Sequence, residues 1–95
     1  MPYTLTTLKL KDYAQWKSEF GSAENVAWRR ESGQRSYQIY RSASDPNEIT
    51  LLVEWDSLES AQRHIESAEL REKHERHLVS PPETRFLEAL ETGSM

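Results

Sequence analysis

Residues 37–78, YQIYRSASDPNEITLLVEWDSLESAQRHIESAELREKHERHL, decide how this chain folds. Glu48–Trp55 alternates Ile49, Leu51, Val53 and Trp55 against Glu48, Thr50, Leu52 and Glu54, the period of a strand with one buried face. Arg35–Ser42 is a second strand, with Tyr37, Ile39 and Arg41 on one side and Gln38 and Tyr40 on the other. Between them Ser44-Asp45-Pro46-Asn47 is a turn: Pro46 presets its φ, and Asp45 and Asn47 tolerate turn geometry. The pair is therefore an antiparallel hairpin. Asp56-Ser57-Leu58-Glu59 has the D-x-x-E form of a capping box directly after the hairpin. Leu58, Ala61 and Ile65 then form a helical stripe. Ser67 caps a further helix, Ala68–Leu78, with Leu70, His74, His77 and Leu78 on one side.

Working outward, Tyr3–Lys11 reads as a strand from its Thr, Leu and Tyr content. Its alternation is broken: Tyr3 and Leu5 share one face, Leu8 and Leu10 the other. This predicts either partial cover on both faces or a bulge. Asp12 is a natural N-cap, and Tyr13, Trp16, Phe20, Ala23 and Ala27 fall on one helical stripe. Gly21-Ser22 interrupts that stripe and predicts a kink or a split. Gly33 stops the helix behind Arg29-Arg30, basic residues suited to a last turn. After Ser80-Pro81-Pro82, Glu83–Leu90 has helical propensity, but the proline pair and the need to complete a sheet favour a strand. The element order is β-α-β-β-α-α-β. This predicts an α+β, ferredoxin-like antiparallel sheet with helices on one face. Tyr40 and Leu52 on the opposite face call for cover, and a second copy of the chain is the economical source.

Ninety-five residues make one domain, expected over 1–90, with a disordered tail over 91–95. Only 36% of the residues are hydrophobic and the mean hydropathy is −0.85. A homodimer would supplement so lean a core. The net charge of −4, with acids and bases interleaved, offers no footprint for nucleic acid or for a membrane surface. Cysteine is absent, which removes disulfides and thiol chemistry. No apolar run approaches a membrane span, and MPYTLTTLKLK lacks the pattern of a signal peptide; a cytoplasmic protein is expected.

The chemistry-bearing residues concentrate in the second half of the chain. His64, His74 and His77 are its only histidines, and His74 and His77 at i, i+3 can share a helix face. His74, one turn from Leu70, faces the buried side and is the candidate catalytic acid/base. Tyr13, Trp16 and Phe20, with His64 and His77, are the candidate substrate-binding wall. His-x-x-His lacks the i, i+4 spacing of a zinc-binding helix, so no metal is expected. With three glycines in all, no phosphate-binding loop is available either.

The chain resembles the antibiotic-biosynthesis-monooxygenase-like family of dimeric α+β barrels. The carrying residues are Asp12-Tyr13 and Trp16-Lys17, Gly33, Tyr40-Arg41-Ser42, Asp45-Pro46-Asn47-Glu48, Glu54-Trp55-Asp56-Ser57, Ala61, Ser67, Leu70-Arg71 and Pro82. The resemblance implies a homodimer that acts on a small hydrophobic or aromatic ligand, as a cofactor-independent monooxygenase or related enzyme. It equally implies a non-catalytic, ligand-binding dimer of the same architecture. No cofactor is implied by the first reading. Heme is the alternative: His74 matches the heme-ligating His of heme-degrading relatives. His64 stands at their Trp position, however, and Thr6 and Thr7 stand where they use Asn.

Overall fold

A computed structural model describes residues Met1–Met95. The elements are β1 (Pro2–Lys9), α1 (Tyr13–Phe20), α2 (Ala23–Glu31), β2 (Gln34–Arg41), β3 (Glu48–Trp55), α3 (Leu58–Ile65), α4 (Ala68–His77) and β4 (Glu83–Glu88). One antiparallel sheet runs β2-β3-β1-β4, with β1 paired to β3 on one side and to β4 on the other. This is the expected ferredoxin-like plan. Strand pairing overrides helical propensity in β4: Thr84, Phe86 and Glu88 lie opposite Thr6, Thr4 and Pro2, and the Pro81-Pro82 pair holds the entering chain at Ser80 and Pro81 extended.

The broken alternation of β1 involves no bulge in that strand, whose registers with both neighbours are regular. Thr4, Thr6 and Leu8 are buried under the helices, and Tyr3, Leu5 and Thr7 look the other way, half covered. The irregularity lies in β2 instead, between Gln34 and Ser36.

Four helix N-termini each receive a side-chain cap: Asp12, Ser22, Ser57 and Ser67 accept from the backbone N–H of Gln15, Asn25, Ser60 and Leu70. The D-x-x-E box is corrected by one residue. Ser57, not Asp56, caps α3, and the Asp56 N–H that Glu59 would have bonded already donates to the Gly33 carbonyl at 2.9 Å. Ser57→Ala is therefore expected to lower stability by about 1 kcal/mol, and Glu59→Gln to leave it nearly unchanged. Urea unfolding of the two variants measures the difference.

The second correction concerns the aromatic stripe. Gly21-Ser22 ends α1, and α2 restarts from its own cap at Ser22 in a new phase. Ala23 and Ala27 are consequently exposed, and Asn25 and Arg29 are the buried residues of α2. Two separate apolar clusters result. Leu8, Leu10, Trp16, Phe20, Ile49 and Leu78 form one; Val53, Trp55 and Ala61 form the other. Leu51 touches both.

Candidate functional site

Where the two clusters fail to merge, the helices and the sheet enclose a cavity of about 60 Å³. It is walled by members of both clusters and by the chain's buried polar side chains, Thr4, Thr6, Asn25, Arg29 and His64. The β1 threonines are already engaged. Trp55 Nε1 donates to Thr4 Oγ1 at 2.9 Å, and the hydroxyls of Thr6 and Thr84 are 3.1 Å apart.

His64 reaches the cavity from α3 and is 5% exposed. Its ring lies 4.5 Å from the Trp28 ring and 5.1 Å from the Trp55 ring, centroid to centroid. Its Nδ1 has no protein partner. Burial first, then the charges of Arg29 and His74, push its pKa down to about 4, so the imidazole is neutral near pH 7. Burial also holds His74 below the usual histidine range. His74 and Ile65 border both the inner cavity and an outer groove of about 400 Å³ formed with Arg71, Leu78 and Pro81-Pro82.

A charged clasp joins α1 to α4 at the cavity edge. Glu19 pairs with Arg76, lies 3.8 Å from Lys73 Nζ and sits 3.4 Å from His77 Nε2. Burial alone would raise the Glu19 pKa, but His77, Arg76 and Lys73 outweigh it and hold the carboxyl below its usual range.

Of the residues singled out from sequence, Trp16, Phe20, His64, His74 and His77 all line this one cavity. Tyr13 does not: it packs on Trp16 at 6.0 Å, under the Arg41 guanidinium. Trp16 and Phe20 stack at 4.7 Å, and Phe20 meets Tyr37 edge-on at 5.3 Å. Sequence reasoning missed Asn25 and Arg29. The signal was present in Ser22-x-x-Asn25, a helix restart from which Arg29 follows Asn25 by one turn. A single stripe drawn through the break concealed it.

The sequence profile of the antibiotic biosynthesis monooxygenase family matches residues 13–76, more than half of the chain. The chain belongs to this family. Solved structures of similar fold include SnoaB, a cofactor-independent oxygenase from Streptomyces nogalater. It is 14% identical, at a TM-score of 0.73, over 96% of this chain and 94% of that one. Rv0793 from Mycobacterium tuberculosis is 23% identical, at a TM-score of 0.63, over 99% of this chain and 100% of that one. A Nitrosomonas europaea protein provisionally described as an antibiotic biosynthesis monooxygenase is 20% identical, at a TM-score of 0.66, over 96% of this chain and 100% of that one. At these identities the likenesses establish the fold. No curated protein matches the chain. No helix of this family member is long and apolar enough to cross a membrane.

Proposed function

We propose that this protein is a homodimeric enzyme that oxidises a small hydrophobic or aromatic molecule with dioxygen and without a cofactor. The observation that carries the reading is a neutral, half-buried His74 placed between an outer groove and an aromatic-walled inner cavity, in a chain of the antibiotic biosynthesis monooxygenase family. His74 would take a proton from an activated ring carbon or phenol at the cavity mouth. The electron-rich anion would then reduce dioxygen. A ring CH₂ becomes a ketone, one oxygen atom stays in the product and the other leaves as water. Trp16, Phe20, His64 and His77 would wall the ligand and exclude solvent.

An oxygen electrode with an anthrone tests this. One dioxygen consumed per anthrone is expected, with the rate falling about 10²-fold or more in His74→Ala. No uptake by the wild-type protein sinks the oxygenase reading.

The modest size of the inner cavity favours a second reading, a non-catalytic binding dimer for a smaller ligand. A cavity of about 60 Å³ holds a few waters, so a polycyclic substrate requires α4 to move or the outer groove to carry most of it. The residues offer heme only part of a site: His74 borders the outer groove, but His64, packed against Trp28 and Trp55, stands at the Trp position of heme-degrading relatives.

The homodimer is read from the bare sheet face. Tyr40 is 53% and Leu87 40% exposed there, and Leu52 is half covered. A shallow basin of about 440 Å³ opens between Tyr3, Gln38, Leu52 and Leu87. A second copy laid on this face would bury all of them. Sedimentation is expected to give twice the 11.1 kDa chain mass, and Leu52→Lys to shift the species to monomer. A wild-type monomer at micromolar concentration would remove the dimer.

A further inference from the structure

Arg29 is an unusual resident of the cavity wall. It is 5% exposed, yet it takes part in none of the protein's ion pairs. Its acceptors are all neutral: Asn25 Oδ1 at 2.6 Å, the Phe20 carbonyl at 2.7 Å and Gln34 Oε1 at 3.4 Å. Its guanidinium lies 3.6 Å over the Phe20 ring and 5.2 Å from that of Tyr37. A guanidinium carries five N–H donors, so these three bonds leave two. A buried ion normally has a counter-charge, because its lost hydration is otherwise poorly replaced. The one acid on the cavity wall, Glu19, is held by Arg76, Lys73 and His77.

His64 supplies the second half of the observation. It lines the same cavity, it is as deeply buried as Arg29, and its Nδ1 has no protein partner. A cation with spare donors and an unpaired imidazole nitrogen thus line one cavity.

We infer that Arg29 and His64 form an anion subsite and that the ligand of this cavity carries an anionic oxygen, as a carboxylate or an ionised phenol, which accepts from both side chains. The oxygen supplies the counter-charge that the fold leaves out, and Trp28, Trp55 and Val53 receive the apolar body. Charge-assisted bonds of this kind are shorter and stronger than neutral ones, so the subsite selects by charge before shape. This rests on the cavity being the ligand site but not on oxygen chemistry.

The test uses the wild-type chain and two anions, propionate and 4-nitrophenolate above its own pKa. Each is compared with an uncharged analogue, propionamide or 4-nitroanisole, at matched ionic strength in chloride. Binding is followed by NMR at the Arg29 Nε–H and the His64 ring. At least one anion is expected to bind about tenfold or more tightly than its analogue and to move both resonances. Preference for propionate assigns a carboxylate, and preference for 4-nitrophenolate assigns a phenolate. Arg29→Gln is expected to abolish the discrimination. Because that change also removes a bond to the Phe20 carbonyl, His64→Gln is the second variant, expected to weaken anion binding severalfold without touching α1. Equal affinity for anion and analogue, or unmoved resonances with both anions in the wild type, overturns the inference. Anion preference without oxygen uptake leaves it standing and removes the oxygenase reading alone.

Discussion

Acidification from about pH 6.5 to about pH 4 is expected to cost the fold about 3 kcal/mol through His64 alone. The unfolded chain titrates this imidazole near its ordinary value of about 6.5, whereas the folded protein holds it near 4. Between those values the unfolded state binds the proton and the folded state refuses it. The stabilisation is fully present above about pH 6.5 and is lost as the pH falls through the folded value. Burial is the largest cause of the shift, and Arg29 is the next. His74, lowered by burial, acts in the same sense. The carboxyls of Glu19 and Asp56 are also held low, but their contributions are lost only below their unfolded values of about 4. The histidine window is therefore separate. Urea midpoints at about pH 7 and about pH 4.5 measure it. His64→Phe, which keeps a ring between Trp28 and Trp55, is expected to flatten most of the difference. An equal loss in wild type and variant would assign the acid sensitivity elsewhere.

Gly33→Ala is expected to destabilise the protein by about 3 kcal/mol or more, lowering Tm by on the order of 15 °C for a chain of this size. Gly33 turns the chain from α2 into β2 at φ 106°, a region L-residues rarely adopt. A Cβ would also stand 2.5 Å from Asp56 Oδ1 and 2.8 Å from Ser60 Cβ. The Asp56 backbone is held, its N–H donating to the Gly33 carbonyl, and the Ser60 Cβ is fixed on helix α3. Strain and overlap therefore add. Thermal unfolding read beside Gly93→Ala, where a Cβ meets nothing within 4 Å, separates this from a generic glycine effect. Asp56→Ala in the Gly33→Ala background should recover the part due to overlap. The turn also matters to the cavity, because it sets Gln34 under Arg29.

The strand hairpin was legible because alternation in Glu48–Trp55 and the Asp45-Pro46-Asn47 turn are local signals with local causes. The order of the remaining elements followed from the same rules. Three helix caps could be located to within one residue; Ser57 rather than Asp56 accepts from the Ser60 N–H, and the Asp56 N–H donates to Gly33 from across the fold. The gathering of Trp16, Phe20, His64, His74 and His77 on one cavity was approachable, since each lies on a helix face that the period places inward.

Arg29 was not legible in the same way. In sequence it is a basic residue in a last helical turn, where solvent is its ordinary environment. Burial came from the break at Gly21-Ser22, which re-phases α2 and turns Asn25 and Arg29 toward the sheet in place of Ala23 and Ala27. The pattern of residues by itself determined the strands, the helices and their order, because those depend on periods of two and 3.6 residues and on side chains a few positions apart. Only the tertiary structure decided that a guanidinium and an unpaired imidazole share one cavity, because that depends on the angle between two short helices and on which neighbours are left to neutralise a buried charge.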